Sequence, residues 1–232
     1  MFAGKKSAQI REILISESAW EEMTCLFAPS LDDFPPDHPR AQEVIDFFGG
    51  KEIIKVPREL GLQAGRCYWN VNDQIKKQGG TLVYGWMLEW HPNLAVFAMH
   101  HGVYQSPDGK LIDVSSADTA RTTNYTSFMP SNEIEIDLKK YPRIPRRSLP
   151  LIDDNELRRY LYLYTKNFQA HSDLAYSCLE RGTAIFKDGA FAYISIPDDI
   201  SRRLKPAIES SSRERSKLRM TLFSRYFDVA RN

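Results

Sequence analysis

Three side chains in the middle of the chain could do chemistry together: Cys67, His101 and Asp113. A thiolate is the nucleophile for acyl transfer at a carbonyl carbon. An imidazole can take the thiol proton, and a carboxylate can hold the imidazole in its working orientation. Cys67 follows Gly65-Arg66 and opens residues 66–78, where Cys67, Val71 and Ile75 recur at i, i+4 and i+8. That spacing predicts a helix with the thiol in its first turn, where unpaired N–H groups and the dipole favour an anion.

The base has to come from another element. His100 and His101 lie on an apolar run, residues 94–105, that reads as a strand. Neighbouring side chains on a strand point to opposite faces, so only one of the two can face the helix. The turn that follows decides between them. Ser106-Pro107-Asp108-Gly109 suits a type I turn with Gly109 left-handed, the three-residue hairpin with a bulge. That register pairs Ser106 with Lys110 and sets Asp113 opposite Val103, on the face of His101 and one diagonal step away. Diagonal neighbours are roughly 7–8 Å apart, within side-chain reach. A two-residue turn would put Asp113 on the face of His100 instead.

The order Cys, His, Asp on a helix and two successive strands resembles that of transglutaminase-like and papain-like enzymes. Gly65-Arg66-Cys67-Tyr68-Trp69 resembles their Gly-x-Cys-Trp motif, with Tyr68 where Trp is usual. His101-Gly102-Val103-Tyr104 resembles their His-Ala-Trp strand, and Leu111-Ile112-Asp113-Val114 the strand of the orienting Asp. The block also resembles a group of uncharacterised bacterial and phage proteins, through Cys67…Asn70-Val71, Gly79-Gly80…Gly85-Trp86, His101-Gly102-Val103-Tyr104 and Pro107-Asp108-Gly109…Ile112-Asp113. The resemblance spans about residues 60–118. It implies a cysteine-dependent hydrolase or acyltransferase of the amidase, peptidase or deamidase class that needs no cofactor. It also implies an oxyanion donor or cleft wall among Gln63, Trp69 and Trp86, with the Cys67 N–H as a further donor.

The expected fold is α+β: a Cys-bearing helix on an antiparallel sheet, with helical additions at both ends. Residues 1–50 read as a helical segment, with helices over 7–28 and 40–48. Residues 51–150 form the core: a strand over 51–56, the helix 66–78, and a three-stranded meander over 81–90, 94–105 and 110–114. Residues 115–132 read as polar and irregular, and 141–150 as a connector. Residues 151–232 read as a mostly helical extension, with a helix or helical pair over 153–181, a hairpin about Lys187-Asp188-Gly189 and a basic helix over 199–231.

Composition narrows the alternatives. The 232 residues carry a net charge of +1 and 42% hydrophobic residues, an ordinary globular balance that points to no polyanionic partner. Three scattered cysteines, Cys25, Cys67 and Cys178, form neither a disulfide framework nor a zinc motif. No run reaches the roughly 18 apolar residues of a membrane helix, and residues 1–15 lack the apolar stretch of a signal peptide. The expectation is therefore a cytoplasmic protein with no membrane partner, acting on a protein, peptide or amide substrate. The competing reading keeps Cys67 as a small buried hydrophobe. The scaffold is then an inactive binding module for protein, or for nucleic acid through the basic run Arg202, Arg203, Lys205, Arg213, Arg215, Lys217, Arg219, Arg225 and Arg231.

Overall fold

Successive apolar stretches broken by glycine and proline give short elements that close on one another. The computed structural model describes residues 31–115 and 123–227. The helix expected over 7–28, and Cys25 with it, lies outside them. The described chain is α+β, with four helices and nine strands. In order these are β1 (Asp32–Asp33), α1 (Ala41–Phe48), β2 (Ile54–Leu62), α2 (Cys67–Gln78), β3 (Thr81–His91), β4 (Ala95–Gln105), β5 (Leu111–Ser115), β6 (Tyr125–Pro130), β7 (Arg147–Pro150), α3 (Asn155–Glu180), β8 (Ala184–Lys187), β9 (Ala190–Tyr193) and α4 (Asp198–Phe227).

The described chain divides into two compact units, residues 31–161 with 187–190, and residues 162–186 with 191–227. The first holds a seven-stranded sheet in the order β1-β3-β6-β2-β5-β4-β7. Because β3 also pairs with β4, five strands, β3-β6-β2-β5-β4, close into a ring. Side chains on one face of these strands meet in a small core: Val56, Val103 and Phe128, with Ile54, Val83 and Leu111 against them.

Two expectations are corrected here. The sheet is mixed, since β2 runs parallel to β5 while the other pairs are antiparallel. The segment expected to be irregular contains β6, whose Thr126, Ser127, Phe128 and Met129 are all buried. β6 bridges β2 and β3 and so closes the ring. Two shorter corrections concern strand bounds. β2 begins later than expected and runs on through Pro57 to Leu62, and the 141–150 connector ends in a strand, β7, paired with β4.

On the opposite face of β3 and β4 lie two further clusters. Phe34, Val44 and Phe48 pack with Trp86, Leu88, Val96, Ala98 and Met129. Phe34, Ala41, Val44 and Phe48 therefore share a core with the sheet. Farther along, α2 packs through Val71 and Ile75 on Tyr104, Val114, Leu82 and Ile112. Gly79 and Gly80, both at positive φ, end the helix.

The second unit buries Leu174, Cys178, Ala184 and Ile200 together. Asn167 ties α3 to α4 by donating to the Ile208 carbonyl and the Ser211 and Ser212 hydroxyls. α3 is one continuous helix. The β8–β9 turn holds both Asp188 and Gly189 at positive φ, the type I′ geometry that an Asp-Gly pair favours.

Candidate thiol active site

The site begins at the hairpin joining β4 and β5. Ser106 N–H donates to the Lys110 carbonyl at 3.0 Å, Gly109 N–H returns to the Ser106 carbonyl at 2.8 Å, and Gly109 sits at φ 88°. The strands then pair Gln105 with Leu111 and Tyr104 with Ile112, the register the turn chemistry requires. Asp113 falls diagonal to His101, and their side chains meet: His101 Nε2 lies 2.9 Å from Asp113 Oδ2.

Asp113 is held from two further directions. The Thr126 hydroxyl donates to Oδ2 at 2.6 Å, and the Ser115 backbone N–H donates to Oδ1 at 3.1 Å. The carboxylate is buried (2% exposed), which by itself favours its neutral form. The His101 charge and the three hydrogen bonds override this and pull its pKa down to about 2. Burial likewise works against a charged His101. The Asp113 carboxylate and Cys67 outweigh it, and the imidazole is held well above its ordinary value.

Cys67 is the first residue of α2, half-buried, and close enough to His101 to help raise its pKa. With Nε2 facing Asp113, Nδ1 is the ring nitrogen that can serve the sulfur. The sheet face that carries the helix is not the one expected. His100, Gly102 and Tyr104 face α2, while His101 shares the ring-core side with Val103. Cys67, at the first position of the helix, still lies within electrostatic reach of the His101 imidazole.

His100 meets Tyr68, whose hydroxyl lies 2.8 Å from His100 Nδ1 and 3.0 Å from the His100 carbonyl oxygen. Burial first, and then the neighbouring His101 charge, hold the His100 pKa down to about 4, so it is neutral at physiological pH. Two glycines on these strands allow close approaches. A Cβ on Gly102 would stand 2.9 Å from the Tyr68 ring, and a Cβ on Gly85, which pairs with His101, would stand 2.5 Å from the Phe128 ring.

Each of the three residues named as cleft or oxyanion candidates has partners of its own in the fold. Gln63 is exposed. Its Oε1 accepts from Arg66 at 3.4 Å, and its carbonyl accepts from Asn70 Nδ2 at 2.7 Å. Trp69 is buried, with its Nε1–H donating to the Leu138 carbonyl at 3.3 Å. Trp86 is a core residue (1% exposed), covered by the Arg147 guanidinium at 4.3 Å and touching the His100 ring edge-on. The Cys67 N–H, at the first helical position, stands outside the intrahelical ladder and so remains an oxyanion donor candidate.

Sequence reasoning missed Thr126, Ser115 and the hydroxyl of Tyr68. The short β-branched and aromatic run Tyr125-Thr126-Ser127-Phe128 was the available signal for Thr126. Among the described residues, no three His, Cys, Asp or Glu side chains gather where they could hold a metal ion. None of the described helices is long and apolar enough to cross a membrane. Comparison with family models, with curated proteins and with solved structures returns no match.

Proposed function

We propose that the chain is a cysteine-dependent hydrolase or acyltransferase built on a papain-like or transglutaminase-like core. The observation that carries this reading is the fixed imidazole. His101 is held 2.9 Å from the Asp113 carboxylate, and that carboxylate together with Cys67 raises its pKa well above the ordinary imidazole value.

In the proposed reaction the Cys67 sulfur attacks a substrate carbonyl carbon. A C–S bond forms as the carbonyl π electrons move to oxygen, and the Cys67 N–H receives the oxyanion. The tetrahedral intermediate then collapses. The bond to the leaving nitrogen or oxygen breaks, and that atom takes the proton from His101 Nδ1. Water, or another acceptor, gives a proton back to His101 as it attacks the thioester, and release of the acyl product restores the thiol. Asp113 stays ionised throughout and holds Nε2–H.

Two measurements test this. Iodoacetamide should alkylate Cys67 in the folded chain at pH 7 at least about ten-fold faster than in guanidinium-unfolded chain, despite the lower exposure, since ionisation controls thiol reactivity. An activated acyl ester, p-nitrophenyl acetate, should give a burst of one p-nitrophenolate per chain that is absent in Cys67→Ala. A folded-state rate below the unfolded one, together with no burst, would leave the scaffold as a binding module.

A further inference from the structure

We propose that Asn70 is the positioning residue of the site: its side-chain amide pins the thiol-bearing turn of α2 to the end of the strand that carries Asp113. The inference rests on the thiol reading above and adds to it the residue that holds the helix of the nucleophile to the strand of the orienting carboxylate.

The first turn of α2 has no side-chain cap. Arg66 stands at the N-cap position and makes no capping hydrogen bond, and no acidic residue follows in that turn. A helix end without such partners frays. Here the turn is held from within. The Asn70 backbone N–H donates to the Arg66 carbonyl at 2.8 Å and closes the helical ring that contains Cys67. The Asn70 side chain then ties that ring outward. Its Nδ2 donates to the Gln63 carbonyl at 2.7 Å and to the Ser115 Oγ at 3.1 Å. A carbonyl oxygen only accepts, so the amide nitrogen and not its oxygen faces Gln63, and both amide hydrogens are used.

Both partners are themselves fixed to the site. Leu62, one residue before Gln63, pairs with Ser115 in the parallel β2–β5 register. The Ser115 backbone N–H donates to Asp113 Oδ1 at 3.1 Å, and Asp113 Oδ2 lies 2.9 Å from His101 Nε2. A continuous path therefore runs from the turn of Cys67 through Asn70, Ser115 and Asp113 to the imidazole. Asn70 and Ser115 are each 6% exposed, so water is a poor substitute partner for either. An amide at this depth costs stability unless its bonds are made. Once made, they fix the arrangement of the groups they join. What the amide adds is register: α2 cannot slide or unwind at its thiol end without breaking both bonds.

The test is a double-mutant cycle read on the pH midpoint of Cys67 alkylation by iodoacetamide in the full chain, followed peptide by peptide. His101→Gln in the otherwise wild-type chain should raise that midpoint by at least about one pH unit, within the range by which a neighbouring cation lowers a thiol. In the Asn70→Ala background the same His101→Gln change should raise it by about half as much or less, because the sulfur no longer keeps its place beside the imidazole. A merely structural role would lower the urea midpoint and leave the His101→Gln shift whole. Ser115→Ala removes the Oγ acceptor and keeps the backbone N–H on Asp113. It should shrink the His101→Gln shift in the same way, and it decides the matter if Asn70→Ala does not fold. A full wild-type shift in either folded background overturns the role of Asn70 and leaves the thiol reading standing. No shift from His101→Gln in the wild-type background overturns both.

Discussion

Asp113 is the most constrained residue of the site. Its carboxylate accepts from His101, Thr126 and Ser115, which leaves it little room to rotate or protonate. This has a consequence for acid stability. With a folded pKa of about 2 against roughly 3.9 unfolded, Asp113 stabilises the fold above pH ~4. That contribution is lost as pH falls from there through 2. His100 acts in a milder window. Its folded pKa is about 4 against roughly 6.5 unfolded, so its contribution is present above pH ~6.5 and lost between there and 4. His101 has the opposite sign: its raised pKa stabilises below pH ~6.5 and is lost only as pH rises through the folded value. Urea midpoints measured at pH 7 and pH 4 should therefore fall more for the wild type than for His100→Gln. Equal falls would assign the loss to other groups, among them His171, which burial and Arg215 also hold below its ordinary pKa.

At the scale of elements, what was legible in the sequence was local chemistry. The β4–β5 register follows from one left-handed Gly109, and α2 follows from the spacing of Cys67, Val71 and Ile75. β6 was not legible because its inward polar residues are Thr126 and Ser127. These look like loop residues until Asp113 and the Phe34 carbonyl are there to receive their hydroxyls. The parallel pairing of β2 with β5 was hidden for a related reason. It joins Arg58 to Asp113 across more than fifty residues, a contact that no local pattern encodes. The choice of His101 was right for the partnership with Asp113, though the helix packs on the opposite face, because strand alternation says nothing about where a helix end will stand. Gly85 offers a test of this layer. A Cβ there would sit 2.4 Å from the Met129 carbonyl oxygen and 2.5 Å from the Phe128 ring, both in β6. Gly85→Ala should cost about 1–3 kcal/mol, read as a lower urea midpoint. An unchanged midpoint would mean that β6 yields freely and that its contact with β3 is not tight.

At the scale of the first compact unit, closure of the five-strand ring makes the site a property of all its strands together. β3, β6, β2, β5 and β4 each have a neighbour on both sides, whereas β1 and β7 lie at the ends of the sheet order. Amide hydrogen exchange should reflect this. Paired amides of β4 and β6 near Val103 and Phe128 should exchange only with global unfolding, and those of β1 and β7 should exchange faster, through local opening. Equal protection at β7 and β4 would argue against the ring as the cooperative unit.

β6 carries one more implication. The residue that steadies Asp113, Thr126, arrives on the strand that completes the ring, more than fifty residues after the thiol in the order of synthesis. A chain emerging from the ribosome presents Cys67, His101 and Asp113 before Thr126 has arrived to hold the carboxylate. On the function proposed above, Cys67 has only the reactivity of an ordinary thiol in the nascent and the misfolded chain alike, and enhanced alkylation at Cys67 serves as a chemical certificate that the barrel has been finished.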